Sequence, residues 1–219
     1  MGGDLASLTD VSSDKEVTVG HAEGRCPPAG PLPFGGDDET WWRTPPRFCP
    51  HGFRRLLLAR SSRLLVSVLA FDSGQREHLH QHPDSAEQFH VLAGAGALFI
   101  DDHWRALVPG QTQFRPAGVW HGVQAASRLV LLSVQAPIPR APLTVWHPSV
   151  AGATLSSLDR ERLLRFRCCC CPRCGGHARR GRLAAACTTC GSPRASVRCE
   201  NCHWQVARIC LARTRSQAG

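Results

Sequence analysis

The chain has 219 residues, 42% of them hydrophobic, and a formal net charge of +9, which suits one medium-sized domain plus a smaller one. No stretch approaches the roughly 18 uninterrupted apolar residues of a membrane-spanning helix, which argues against a membrane protein. The first residues lack the basic and apolar regions of a signal peptide, so we expect a cytoplasmic location.

Residues 1–40 are polar and rich in Gly and Pro, which predicts a flexible N-terminal arm. We expect a barrel over residues 41–150, because short apolar runs recur between 54 and 136 with turn signals between them. Many short strands at close spacing are typical of an all-β sandwich or small barrel.

A linker helix is predicted within residues 151–167. The stretch LSSLDRERLLRF has an apolar stripe at helical spacing, and Ser157 is the candidate N-cap. Residues 168–219 form a separate Cys-rich module, which contains ten of the twelve cysteines. Clustered cysteines in a cytoplasmic protein indicate metal binding more than disulfides.

The stretch HLHQHPDSAEQFHVLAGAG places His78, His80 and His82 at alternate positions. Alternation is the period of a strand, so these imidazoles are expected to share one face. The turn PDSA lets Glu87 return beside them, and His121 follows a Pro-x-Gly turn on a later strand. His80, His82, Glu87 and His121 are therefore the candidate metal ligands. His78 is either a pocket residue with a catalytic role or a solvated strand start.

Two motifs carry a family resemblance. The spacings G-x5-HxH-x4-E-x6-G and G-x5-PxG-x2-H begin at Gly74 and Gly110, and they resemble the two motifs of the cupin superfamily. One position departs, since Ala125 stands where the family has Asn. The resemblance covers about residues 54–136 and implies an all-β cupin double-stranded β-helix, or jelly-roll, barrel.

Cupins include enzymes and non-enzymatic proteins, so the resemblance implies a metal more firmly than a reaction. The full set of three His and one Glu is most similar to metal-dependent oxidative enzymes. We therefore expect a non-haem iron dioxygenase or oxidoreductase acting on a small molecule, with Fe(II) as the leading metal and Mn, Ni, Cu or Zn as alternatives. The alternative is a non-enzymatic regulator that senses a ligand or metal. A homodimer is an open alternative to a monomer.

The tail contains three C-x-x-C pairs, and this pattern resembles zinc-ribbon and rubredoxin-like modules, which hold Zn in a Cys₄ site. The six candidate ligands are Cys171, Cys174, Cys187, Cys190, Cys199 and Cys202. Two pairings stay open: the first pair with the second, or the second with the third. A second complete site would need two more ligands, drawn from Cys168, Cys169, Cys170, Cys210, His177 or His203.

The charge of the chain is uneven. Residues 160–219 contain thirteen Arg against two Glu, whereas residues 1–159 are nearly neutral. A basic zinc module has the charge needed to bind the phosphates of nucleic acid. Only Phe166 and Trp204 are available there for base stacking, so nucleic acid is a secondary candidate partner and a small-molecule substrate is the first.

Overall fold

The computed structural model describes residues 48–100, 102–140, 144–184 and 186–211. The predicted arm, residues 1–40, lies outside these ranges. The barrel strands are β1 (Arg54–Arg60), β2 (Leu65–Phe71), β3 (Arg76–Gln81), β4 (Ala86–Ala93), β5 (Gly96–Ile100), β6 (His103–Leu107), β7 (Thr112–Arg115), β8 (His121–Ala125), β9 (Leu129–Ala136) and β10 (Val145–Trp146). The predicted all-β barrel is confirmed.

The barrel consists of two five-stranded antiparallel sheets. Their strand orders are β1-β2-β9-β4-β7 and β10-β3-β8-β5-β6. Phe71, Phe89, Leu98 and Leu131 come from both sheets and are fully buried between them. Because alternate residues of each strand face inward, a single apolar core forms between the sheets and fixes the positions of the polar residues at one end.

The tail follows two short helices, α1 (Pro148–Ala151) and α2 (Ser157–Phe166). It is a four-stranded antiparallel sheet in sequential order: β11 (Cys168–Cys170), β12 (His177–Ala184), β13 (Arg194–Cys199) and β14 (Gln205–Cys210). In such a meander, successive turns lie at opposite ends of the sheet, so alternate turns lie at the same end. No helix in the described part of the chain is long and apolar enough to cross a membrane.

Helix α2 begins one residue earlier than its predicted cap implies. Ser156, not Ser157, is the N-cap, and its hydroxyl accepts a hydrogen bond of 3.1 Å from the backbone N–H of Asp159. The helix ends at Arg167, which adopts a left-handed conformation. Leu163 is fully buried in the hydrophobic cluster of the tail. The predicted linker helix is therefore packed as part of the tail.

Barrel and tail meet along a contact that we call the seam, formed by residues 51–54 and 76–78 of the barrel and 173–177 of the tail. The backbone N–H of His177 donates to the carbonyl of Phe53 at 2.9 Å, and that of His78 donates to Cys174 at 3.1 Å. Gly175 approaches the Arg76 carbonyl so closely that a Cβ atom there would overlap it. The tail is thus fixed against the barrel at strand β3.

Candidate metal centres

Strand β3 does not keep a regular alternation along the histidine stretch. Its register with β8 shifts between Glu77 and His80, where a β-bulge interrupts the ladder. Glu77 and His80 are both buried, whereas His78 is half-buried and turns to the seam, where its Nδ1 lies 3.0 Å from the Arg173 carbonyl. The prediction that His78 shares a face with His80 and His82 is therefore wrong, and Glu77 takes the inward position.

Three imidazoles converge at one end of the barrel core. His80 lies on β3, His82 directly follows that strand, and His121 begins β8, where it pairs across the ladder with His80. One ring nitrogen of each lies within 4.8 Å of the others, and all three side chains are buried. The predicted histidine ligands are thus brought together.

The hydrogen bonds of two imidazoles define their tautomers. Nδ1 of His80 lies 2.8 Å from the carbonyl of His78, and Nδ1 of His121 lies 3.0 Å from that of Val119. Because a carbonyl only accepts, both Nδ1 atoms carry the proton and both Nε2 atoms present a lone pair. These two Nε2 atoms are 2.9 Å apart, which suits two ligands of one ion at about 2.0–2.1 Å each.

Burial keeps these imidazoles neutral. It lowers the pKa of His80 to about 3 and that of His82 to about 2, and it lowers the pKa of His121 well below its usual value. Neighbouring positive groups, among them Arg115, act in the same direction. Since a metal binds the neutral ring, the site is prepared for a cation at physiological pH without losing protons.

Glu87 lies beside this group but has another partner. It is buried on β4, and its carboxylate forms an ion pair with Arg115 and accepts a hydrogen bond from the Ser133 hydroxyl. Its Oε2 is 3.8 Å from Nε2 of His121. The carboxylate is close enough to approach an ion held by the imidazoles, yet its role as a metal ligand stays a prediction.

Arg115 is a site residue that sequence reasoning missed. It pairs across the ladder with Glu87, is fully buried, and burial lowers its pKa to about 9. Its Nε and Nη1 have no hydrogen-bond partner among the described residues. The spacing of the second motif does not distinguish Arg115 from the exposed arginines of the chain. Its pairing with Glu87 is set by the register of β4 and β7, which the sequence does not reveal.

A cavity of about 840 Å³ opens above His80 and His82. Glu77 and Arg55 line it from the barrel, and the Trp146 ring stacks on His80 with centroids 4.9 Å apart. The tail contributes the remaining wall with Arg173, Asn201, Cys202 and His203. The cavity is therefore built by both parts of the molecule, which the prediction of a separate tail module did not include.

The first and third cysteine pairs of the tail form a four-thiol cluster. Sγ of Cys171 lies 3.8 Å from that of Cys202, and Sγ of Cys174 lies 3.5 Å from that of Cys199. A tetrahedron with metal–sulfur bonds of about 2.3 Å has edges of about 3.8 Å, so the four atoms fit one Zn. Backbone N–H groups of Gly176 and Asn201 donate to Cys174 and Cys199 at 3.3 Å and would hold the thiolates.

Both predicted pairings of the cysteines are wrong. The turns after β11 and β13 lie at one end of the meander, so Cys171/Cys174 meets Cys199/Cys202. The turn after β12 lies at the other end, where Cys187 and Cys190 meet Cys210. Proximity along the chain favoured adjacent pairs, whereas sheet topology brings alternate turns together.

A third group lies at the seam, where Cys49, Cys168 and His177 are buried together. Cys49 is disulfide-bonded, so it offers no thiolate. Nδ1 of His177 lies 2.9 Å from the Glu200 carboxylate. The group packs Cys49 of the barrel against Cys168 and His177 of the tail, and with Cys49 in a disulfide only two of its three described side chains are available to an ion.

A family model described as "Cupin domain" matches residues 67–135. No curated protein sequence matches the chain.

Several solved structures are similar to the barrel. KdgF from Halomonas sp. is 25% identical over 42% of this chain and 84% of its own, with a TM-score of 0.40. A protein of Thermus thermophilus is 32% identical over 42% and 90%, with a TM-score of 0.41. An RmlC-like cupin from Shewanella frigidimarina is 24% identical over 40% and 78%, with a TM-score of 0.38. The family match covers the strands that carry all three converging imidazoles, and residues 67–135 of this chain form a cupin domain.

Proposed function

We propose that the barrel is the catalytic domain of a metal-dependent enzyme, of the non-haem iron dioxygenase or oxidoreductase type, that acts on a small anionic molecule. One observation carries this proposal: three buried, neutral imidazoles converge on one point beside a cavity large enough for a small molecule. Three nitrogen ligands leave positions on a metal ion for a substrate and O₂.

The charge of the cavity supports an anionic substrate. Four arginines line it, Arg55, Arg60, Arg140 and Arg173, and Glu77 is the one carboxylate among the lining residues. A guanidinium group matches a carboxylate or phosphate with two parallel hydrogen bonds. We infer that these arginines bind the acidic group of the substrate and so orient its reacting end toward His80 and His82.

Glu77 is placed to hold a proton inside the cavity. It is buried, and this burial raises the pKa of its carboxyl group above the usual value. Arg55 lies 3.9 Å away and partly opposes this effect. A buried carboxyl group of raised pKa beside a metal site is a candidate proton donor or acceptor for the reaction. The Trp146 ring stacks on one face of His80 and covers it. A bound iron(II) ion would supply the electrons for O₂ activation.

The test is an assay of O₂ uptake. The protein is purified without oxygen, loaded with Fe(II), and mixed with a panel of small carboxylates and phosphates. We expect uptake that requires both iron and one compound class, and we expect the His80→Ala/His82→Ala variant to lose it together with one metal equivalent. His90→Ala is the matched control, because His90 lies on β4 and its Nδ1 contacts the Thr112 hydroxyl, outside the metal cluster.

Two results would contradict the proposal. Metal retention by the double variant would refute the assignment of the site. A metal-loaded protein that consumes no O₂ with any compound, but binds nucleic acid in a salt-sensitive manner, would instead favour the regulator. The tail forms a wall of the cavity, so a substrate pocket and a ligand-sensing site would both include residues of the tail.

A further inference from the structure

The end of the tail that faces away from the four-thiol cluster contains a second group of sulfur atoms. Cys187 and Cys190 lie in the turn between β12 and β13, and Cys210 ends β14 beside the start of β13. Their Sγ atoms all lie within 4.8 Å of one another, and those of Cys190 and Cys210 are 3.4 Å apart. One turn and the end of one strand thus bring three thiols to one point.

The backbone of this turn has the same form as the first cysteine turn of the tail. The N–H of Gly191 donates to the carbonyl of Cys187 at 2.8 Å, as the N–H of Gly175 donates to Cys171 at 2.9 Å. Both glycines have positive φ, 70° and 80°. A turn that repeats the geometry of a four-thiol metal site is shaped to present two sulfur ligands to an ion.

This second group differs from the first in the number of its ligands. Among the described residues, no fourth His, Cys, Asp or Glu joins the three thiols. Residues 212–219 contain none of these residue types. Cys190 is exposed, whereas Cys171 and Cys174 are fully buried. Arg194 donates to Cys187 Sγ at 3.5 Å and adds a positive charge that favours thiolates.

We propose that Cys187, Cys190 and Cys210 bind a second Zn²⁺ ion whose fourth coordination position is open to solvent. Closed four-ligand zinc sites are structural, whereas a site with three protein ligands takes water or an external ligand in the fourth position. The tail would then hold one permanent ion in the four-thiol cluster and one exchangeable ion at its other end. Small thiols or other soft external ligands are the chemical class that fits the open position.

The experiment uses the full chain carrying His80→Ala/His82→Ala, so that the barrel contributes no metal. The protein is loaded with Zn²⁺, the ions are counted by elemental analysis, and their release to a coloured chelator is followed in time. We expect two zinc ions, one released rapidly and one only after thiol modification. Cys210→Ser should abolish the rapid phase and leave the slow one. Cys170→Ser is the matched control, because this thiol belongs to neither group.

The proposal is overturned if Cys210→Ser keeps the rapid phase, or if a single slowly released ion is found in the parent. The open position has its own measurement with Co²⁺ in place of zinc. The Co²⁺ absorption spectrum of the parent minus that of Cys210→Ser reports the ion bound by Cys187, Cys190 and Cys210. This difference spectrum should shift when a small thiol is added. An unchanged difference spectrum would show that the fourth coordination position is already filled. Protease resistance of residues 168–211 in each variant shows that the loss of an ion is not a loss of fold.

Discussion

The barrel and the tail obtain their cores from different chemistry. The buried cluster of the barrel consists of aliphatic and aromatic side chains, such as Phe71, Phe89 and Leu131, and contains no cysteine. In the tail, four of the eleven buried cluster residues are Cys169, Cys171, Cys174 and Cys199. The barrel therefore has an apolar core that exists without metal, whereas three residues of the tail's core, Cys171, Cys174 and Cys199, belong to the four-thiol cluster.

This comparison indicates that a metal ion would have different roles in the barrel and in the tail. On the proposed function, a metal in the barrel would add reactivity to a scaffold that is already folded, whereas a metal in the tail would supply folding energy that a small core lacks. The seam nevertheless joins them, since the Cys171/Cys174 turn contacts β3 and lines the cavity. Loss of the tail metal is therefore expected to reach the barrel site through the cavity wall.

The largest effect is expected from Cys171→Ser. Structural zinc contributes about 10–16 kcal/mol to small metal-dependent folds, so breaking the four-thiol cluster should unfold the tail from about residue 168. The barrel should keep its β-structure and its metal while losing affinity for ligands of the cavity. Limited proteolysis with mass spectrometry and circular dichroism measure both outcomes, with Cys170→Ser as control. If the tail of the Cys171→Ser variant stays resistant to protease and keeps its zinc, the barrel and the tail do not differ in their dependence on metal.

The stability of the metal-free barrel should fall as the pH is lowered from 6.5 to 5. The folded pKa values of His80 and His82 lie far below the usual 6.5, so the unfolded chain takes up protons in this range and the folded chain does not. Each such imidazole is expected to remove about 2 kcal/mol over this range. Urea unfolding at each pH measures the slope, which the His80→Ala/His82→Ala variant should reduce. An equal slope in both proteins would refute this origin.

The buried ion pair between Glu87 and Arg115 is expected to contribute to the stability of the barrel. Arg115→Met leaves the Glu87 carboxylate buried without its cation, and we expect a loss of about 3–5 kcal/mol in urea unfolding of the metal-free barrel. The double variant Glu87→Met/Arg115→Met should recover most of it. Arg140→Met is the control, since its exposed pair with Asp84 is worth about 0–1 kcal/mol. A double variant as unstable as the single one would contradict the pairing.

Gly175→Ala should weaken the seam and separate the two parts. The residue has a φ of 80° and its added Cβ would meet the Arg76 carbonyl, so we expect a loss of about 2 kcal/mol or more. Calorimetry should show the unfolding of barrel and tail as more distinct transitions. Gly191→Ala is the matched control, with a similar φ and open space at its Cβ. Equal effects of the two substitutions would show that the seam contributes no stability.

The smallest effect concerns the helix before the tail. Ser156→Ala removes the N-cap of α2 and should cost about 1 kcal/mol, because a backbone N–H loses its acceptor. Since Leu163 anchors this helix in the tail cluster, the effect should appear in the unfolding of the tail and not in that of the barrel. Ser157→Ala should have a smaller effect. If Ser156→Ala shifts the unfolding transition of the barrel as much as that of the tail, helix α2 stabilises both parts.

Several features could be predicted from local patterns alone. The spacing of His80, His82 and His121 identified the imidazoles that converge, because strand alternation and turn chemistry are properties of neighbouring residues. The C-x-x-C pairs identified the thiols in the same way, since a tight turn brings both sulfur atoms to one side. The sequence alone therefore predicts the residue types of each centre, and with them its chemistry.

The tertiary structure decided how these pieces combine. A bulge in β3 exchanged the roles of Glu77 and His78, and the register of β4 with β7 placed Arg115 against Glu87. Sheet topology joined alternate cysteine turns instead of adjacent ones, and packing at the seam made the tail a wall of the cavity. The physical reason is that ladder register, strand order and close packing depend on contacts between residues far apart in the chain, which no local periodicity specifies.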